Sequence, residues 1–310
     1  MFDGILIIDK PENFTSHDVV ARLRRILKTK RIGHTGTLDP FATGVLVMLV
    51  GKATRLAQFL DKDKKEYEAT IQFGSETDTG DKTGELRITN YELRDISDDE
   101  LENILTSFLG EIEQTPPMYS AKKVDGKKLY ELARKGIEIE RKPVKVTIYE
   151  IEKMENGKRK MENENTFDVK IRVVCSAGTY IRTLAEDIGK KLEIGAHLSA
   201  LRRTGAGQFD LLKAVTLEIL EEITSENKLD KVLISMNDAL AHLPKVVLND
   251  EEIKNTQNGK KLKFEVAEVE NNQPVRMIDE AENLVAVGFY DEEQKSIQPR
   301  IVMILGLTQV

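Results

Sequence analysis

The chain has 310 residues, of which 32% are charged, 40% hydrophobic and 5% aromatic, and its formal net charge is −7. That mixture excludes a disordered chain and allows about two domains with a sizeable core, while no apolar run approaches the ~20 residues a membrane helix needs. A single cysteine, Cys175, excludes an internal disulfide and fits a reducing, cytoplasmic compartment.

The opening MFDGILIIDKP carries an acid where a signal peptide would be basic, so GILIID (4–9) reads as a first strand. SHDVVARLRRILK (16–28) follows as a helix, with Ser16 as N-cap, Val19, Val20, Leu23, Ile26 and Leu27 inward, and Arg22, Arg24 and Arg25 outward. GVLVMLVG (44–51) is a buried-strand candidate between glycines, and KKEYEATIQFG (64–74) alternates with Tyr67, Ala69, Ile71 and Phe73 on one side. SDDELENILTSFLG (97–110) has a Ser97–Glu100 capping box and closes on Gly110, which predicts a helix. KPVKVTIYEIEKM and TFDVKIRVVC predict two strands joined by an exposed polar tip, ENGKRKMENEN (155–165). TYIRTLAEDIGKKL (179–192) predicts a helix with Ile181, Leu184, Ala185 and Ile188 inward. From about 245 the text changes to short strand-like runs, VRMID, LVAVGFY and RIVMIL, separated by turn residues. The expected architecture is therefore α+β, with a mixed, mostly antiparallel sheet in residues 1–244 and a small β-rich domain in 245–310.

Charge is distributed unevenly along this plan. RLRRILKTKR (22–31) has six basic residues and no acid, and 122–145 holds nine basic against four acidic. Acids gather elsewhere, in SDDELE (97–102), EEITSE (221–226) and DEE (250–252). Because the local field rather than the net charge steers a ligand, such segregation fits either a nucleic-acid surface or two ordinary solvated faces.

Cofactor and metal motifs fail one by one. The four histidines, His17, His34, His197 and His242, are far apart, and none has zinc spacing with another histidine or with cysteine. TDTGDKTG (77–84) has Gly80 and Lys82 where a calcium loop needs carboxylates. GKAT (51–54) lacks the phosphate loop's first glycine, since Leu46 stands there, and Ala53 replaces its hydroxyl. There is no G-x-G-x-x-G after a strand and no G-x-S-x-G elbow. Any chemistry falls to ordinary side chains, with neither cofactor nor metal.

The stretch GHTGTLDPFATG (33–44) sets one carboxylate, Asp39, in a nearly neutral turn. Alone it fits an Asp-Pro turn whose side chain bonds the backbone ahead. By the same reading Arg182 is a helix arginine, Tyr67, Tyr180 and Leu201 are core residues, and His34 is a turn histidine. Taken with KKEYEATIQFGSETDTGD (64–81), PPMYSAKKVDGKKLYELARKG (116–136), CSAGTYIRTLAEDIG (175–189) and DKPENFTSHDVV (9–20), however, the stretch resembles the signature segments of the TruB-type tRNA pseudouridine synthases. The likeness is dense over about 4–205 and looser beyond 245, where it suggests a PUA-like RNA-binding domain; 250–272, with six acids against four bases, departs from that pattern.

The resemblance implies isomerisation of uridine to pseudouridine at position 55 in the tRNA T-loop, by a cofactor-free, stand-alone monomer. Asp39 matches the catalytic aspartate, Arg182 its arginine partner, and Tyr67 the tyrosine that stacks on the uracil. His34 matches the histidine that fills the space left by the flipped base; Tyr180 and Leu201 match pocket residues, and Lys10 a binding lysine nearby. Gly33, Gly36 and Gly44 are expected to let the backbone approach RNA, with Thr37 among the binding residues, and a segment at about 112–146 to grip the RNA. The alternative is a non-catalytic RNA-binding or tRNA-folding protein on the same scaffold.

Overall fold

The computed structural model describes residues 2–303, apart from 62–63, 88–93, 95, 121, 125, 134, 155–160 and 164–165. Strand β1 (Gly4–Lys10) pairs antiparallel along its whole length with β3 (Thr43–Val50), from Gly4 opposite Val50 to Lys10 opposite Gly44. Alternate residues of the two strands feed two different cores. Leu6, Ile8, Leu46, Met48 and Val50 face one, while Ile5, Ile7, Val45, Val47 and Leu49 face the other. A sheet covered on both sides requires apolar residues at every position, which is why these strands read as continuous apolar runs.

Helix α1 (Ser16–Ile26) buries Val19, Val20 and Leu23 against the first core. Its N-cap is Thr15, not the expected Ser16: Thr15 and Asp18 form a reciprocal capping box, and the Ser16 hydroxyl is released for another task. Strands β2 (Ile32–Thr35) and β4 (Lys65–Phe73) follow; in β4 only alternate residues are buried, as a half-covered strand demands. Helix α2 (Asp98–Thr106) is capped by Ser97, but Glu100 turns away from the expected box to pair with Arg94 at 2.5 Å. The helix stops short of Gly110, whose φ of +90° instead begins strand β5 (Gly110–Gln114).

The sheet continues with β6 (Val144–Lys153), β7 (Thr166–Cys175) and, after helix α3 (Ile181–Lys191), β8 (Ala196–Ala206). Its order is β1-β3-β8-β4-β7-β6-β5, with β2 also beside β3. The short β3–β8 contact is parallel and the other named pairings in this sheet are antiparallel, which gives the mixed, mostly antiparallel sheet expected. The basic segment 115–143 hangs between β5 and β6, which close its base by pairing Gln114 with Val144. The polar tip expected at 155–165 lies outside the described residues except Met161–Asn163, which pair with β7.

Helix α4 (Leu217–Ser225) packs on α1, and its Glu221 pairs with Arg22. A second sheet then forms from β9 (Lys245–Val247), β10 (Leu262–Lys263), β11 (Pro274–Ile278), β12 (Leu284–Asp291) and β13 (Ser296–Val302), in the order β9-β11-β12-β13-β10. Ile278, Leu284, Val287 and Ile301 join the core on the face of β1 and β3 turned away from α1. Arg276 fastens this junction by donating to the carbonyls of Leu243, Asn237 and Ala241.

Candidate active site

The turn 36–42 joins β2 to β3 and buries Leu38, Phe41 and Ala42, so the carboxylate of Asp39 is left facing a cavity. Three anchors fix it. The Ser16 hydroxyl accepts from the Leu38 amide at 3.0 Å and donates to the Leu38 carbonyl at 3.3 Å. The Pro40 carbonyl accepts from the Asn13 amide at 2.8 Å and from Lys10 Nζ at 3.2 Å. A carboxylate on a loop pinned at both neighbours keeps its aim without help from the substrate.

Lys10 corrects an expectation. It is 0% exposed, and its ammonium also donates to the carbonyls of Phe14 at 2.6 Å and Pro11 at 2.9 Å. All three of its donors are used on the backbone, so the residue braces the turn that carries Asp39 and does not reach into the cavity as a binding group. Burial lowers its pKa to about 8, against the opposing pull of Asp39.

Arg182, in the first turn of α3, meets Asp39 with a two-pronged grip: Nε to Oδ2 at 3.0 Å and Nη2 to Oδ1 at 3.3 Å. The guanidinium is itself held by the carbonyls of Thr79 at 3.1 Å and Tyr119 at 2.7 Å, and by Asp81 at 3.4 Å. Its side chain is 5% exposed, whereas that of Asp39 is 32% exposed on its cavity side. The enclosing walls push the Asp39 carboxyl above the ordinary value, Arg182 pulls it back, Asp81 pushes it up again and Lys10 lowers it. Arg182 is thus the chief support for the ionised form.

The cavity, about 240 Å³, is lined by Gly36, Thr37, Asp39, Tyr67, Tyr180, Arg182 and Leu201, among others. These expected residues come together from the turn, β4, the start of α3 and β8. Tyr67 is buried, and burial raises its hydroxyl above the ordinary tyrosine range, with the charge of Arg203 opposing. Tyr180 is half-buried and its hydroxyl is likewise raised by burial; its amide and carbonyl are clasped by Gln114.

His34 and Gly33 are not among the lining residues. His34 sits half-buried on β2, edge-on to His17 with ring centroids 5.8 Å apart, and burial lowers its pKa to about 4, so its ring is neutral at physiological pH. The glycines separate by cause. Gly44 has φ +99°, and a Cβ there would lie 2.1 Å from the Arg203 carbonyl; at Gly36, with φ +70°, it would lie 3.2 Å from the Arg203 guanidinium. Both make room for a strand and its arginine, and Gly36 also lines the cavity. At Gly33 an added Cβ would meet only Thr54, at 3.7 Å, and nothing in the structure requires glycine there.

Sequence reasoning missed Arg203, Ser120, Lys65 and Asp81. The first three line the cavity. Arg203 is the second arginine of LRRTG, whose first arginine, Arg202, pairs at the surface with Asp9; the strand period alone separates an inward from an outward side chain. Asp81 lies in the stretch that fails as a calcium loop. It accepts from the hydroxyls of Thr79 and Thr83 and the Thr83 amide, a local turn network that leaves its other oxygen for Arg182. A larger cavity, about 620 Å³, lies between 115–141 and α3, but Asp78, Glu113, Glu138, Glu186 and Asp187 outnumber Arg87, Arg141 and Lys190 in its lining, a poor match for a phosphate backbone.

Comparison with known proteins gives a consistent result. The family model for the TruB family pseudouridylate synthase (N terminal domain) matches residues 24–181, and that for the tRNA pseudouridylate synthase B C-terminal domain matches 182–241. The chain is 45% identical to the tRNA pseudouridine synthase B of Geobacillus thermodenitrificans, over 89% of this chain and 91% of that one. It is 47% identical to the protein of the same name in Geobacillus kaustophilus, over 84% and 91%. Among solved structures it resembles one of a Cbf5–Nop10–Gar1 complex, with a TM-score of 0.74 at 30% identity, covering 96% of this chain and 84% of that one. It also resembles a chain of an H/ACA RNP bound to a substrate RNA containing 2′-deoxyuridine, with a TM-score of 0.73 at 27% identity over 97% and 85%. With half the chain matched by one family model and close relatives spanning nearly all of it, this protein belongs to the TruB family of pseudouridylate synthases.

Proposed function

We propose that this chain isomerises uridine to pseudouridine in tRNA, at position 55 of the T-loop, without cofactor or metal. The observation that carries the reading is the Asp39 carboxylate gripped twice by a buried arginine at a cavity walled by Tyr67 and Leu201. The names of the relatives support the same reaction.

The target base leaves its stack, at a cost of a few kcal/mol, and enters the cavity. Tyr67 and Leu201 cover the faces of the pyrimidine, and the neutral, flat ring of His34 suits the gap left in the loop. The ionised Asp39 attacks C1′ of the ribose or C6 of the base, the N1–C1′ bond breaks, the uracil turns within the pocket, C5 bonds to C1′ and the bond to Asp39 breaks to restore the carboxylate, while C5 gives up its proton and N1 takes one from solvent. Arg182 keeps the nucleophile charged and aimed, Lys10 and Ser16 hold the turn beneath it, and Thr37 and Tyr180 contact the nucleotide at the rim. The basic faces of α1 and of 115–143 meet the phosphates. Residues 1–244 form the catalytic unit and 245–310 a PUA-like unit, and the protein acts as a monomer in the cytoplasm.

The test is release of tritium from tRNA labelled at uridine C5. Asp39→Asn is expected to bind tRNA but release none, and appreciable turnover by that variant overturns the assignment of the nucleophile. Release from a T-loop in which the target uridine is cytidine overturns the assignment of position.

A further inference from the structure

Gln114 ends β5, the last strand in the order of the large sheet, and is 1% exposed. Its side-chain amide serves a single residue: Oε1 accepts from the Tyr180 amide at 3.0 Å and Nε2 donates to the Tyr180 carbonyl at 3.2 Å. A buried amide side chain is costly unless its bonds are made, so an apolar residue would suit this position better if filling space were the task. Tyr180 gives the clasp a purpose. It is the extended residue, φ −100° and ψ 106°, from which α3 starts, and its side chain makes no capping bond. The chain reaches it from Cys175 through a turn in which Gly178 has φ +87° and an added Cβ would meet nothing within 4 Å.

The segment that Gln114 opens makes further ties to the same helix start. The Thr183 hydroxyl donates to the Thr115 carbonyl at 3.5 Å, and Arg182 Nη2 to the Tyr119 carbonyl at 2.7 Å. Between them Pro116 and Pro117 restrict the backbone, and Arg141 Nη1 holds the Pro116 carbonyl at 3.1 Å. Gln114 also pairs with Val144 of β6, so the sheet, the basic segment and α3 meet at this one residue. We propose that Gln114 is a positioning residue for the isomerisation: by clasping both backbone groups of Tyr180 it sets where α3 begins, and with that the fork Arg182 presents to Asp39 and the place of Tyr180 in the cavity wall. The inference rests on the function proposed above and deepens it. Gln114 is not among the residues lining the cavity, and its effect passes through Tyr180 to Arg182, two residues on. The fork is sensitive to such a shift, because hydrogen bonds at 3.0 and 3.3 Å weaken steeply as distance and angle depart from the ideal.

The test removes the clasp without adding charge. Gln114→Met keeps a similar volume and deletes both bonds. The single-turnover rate constant for tritium release at saturating tRNA should then fall about tenfold, while tRNA affinity changes by less than about threefold. The acid limb of the rate should move to higher pH as well. Burial raises the Asp39 carboxyl and Asp81 adds to the rise, while Arg182 and Lys10 oppose it, so a looser Arg182 lets the carboxyl rise further. The reaction needs the carboxylate, and activity is lost as pH falls through that higher value. In the Arg182→Lys background the same substitution should cost little further.

A merely structural role would lower the unfolding midpoint and leave the rate constant of the folded protein and its acid limb in place. That result overturns the proposal, as does a loss confined to tRNA affinity or full additivity with Arg182→Lys. If Gln114→Met fails to fold, Gln114→Asn decides the matter. It carries the same neutral amide one methylene short and can serve only one of the two Tyr180 groups, so it should show a smaller fall in rate with the limb again moved upward. An unmoved limb in that variant overturns the proposal. Failure of the unsubstituted protein to release tritium overturns the function and this inference with it, whereas normal release by it and by Gln114→Met overturns the inference alone.

Discussion

Replacing Arg182 by lysine keeps one positive charge beside Asp39 and removes the fork. The arginine reaches both carboxylate oxygens, at 3.0 and 3.3 Å, and is braced by the carbonyls of Thr79 and Tyr119. A lysine ammonium is a point donor on a flexible stem and can serve one of those oxygens well. Loss of one charge-assisted hydrogen bond is worth about 1.5–3 kcal/mol. At 1.36 kcal/mol per tenfold in rate, that bond and the lost aim together predict a fall of about 10²-fold in kcat. The pH dependence gives an independent check. Burial already raises the Asp39 carboxyl and Arg182 opposes the rise. The reaction needs the carboxylate, so activity disappears as pH falls through the folded-state pKa, and a weaker partner moves that acid limb upward. Single-turnover tritium release across pH, with saturating tRNA, reads both quantities. Activity within about twofold of the unsubstituted protein, with an unmoved acid limb, would show that charge alone suffices and refute the argument from the fork.

Two further substitutions test how the turn is built. Gly44→Ala drives a Cβ to 2.1 Å from the Arg203 carbonyl at φ +99°, so thermal unfolding should show severe destabilisation, whereas Gly33→Ala, with only a 3.7 Å contact, should change stability by no more than about 1 kcal/mol. Ser16→Ala strips both hydrogen bonds from Leu38 and orphans a buried amide, which should cost about 1–3 kcal/mol in denaturant unfolding and lower kcat more than tRNA affinity.

The fold was legible where burial follows a simple period. The alternation in 65–73 and 166–175 and the amphipathic pattern of 181–191 each record a one-sided environment, and the continuous apolar runs 4–8 and 44–50 record a two-sided one. Capping was harder to read, because adjacent hydroxyls compete for the same end. Thr15 caps α1 and Ser16 latches Leu38, and only the tertiary contact tells them apart. Glu100 was lost to Arg94, six residues upstream, because a cation competes better for a carboxylate than an amide does.

The candidate site divides along a similar line. Asp39, Tyr67 and Arg182 stand around one cavity, as the resemblance of their segments led one to expect; the alternation of β4 marks the inward face of Tyr67, but no local pattern marks Asp39 in its turn or Arg182 on its helix. The supports beneath them were harder to read. Asp81 reaches Arg182, Lys10 reaches the Pro40 carbonyl and Arg203 reaches the carbonyls of Val45 and Gly36, contacts that join segments far apart in the chain. The glycines of 33–44 carry the plainest lesson. Their spacing suggests a loop made supple for a ligand, yet Gly36 and Gly44 are spaces left for Arg203 and its strand. What reads as flexibility is, at these two positions, close packing.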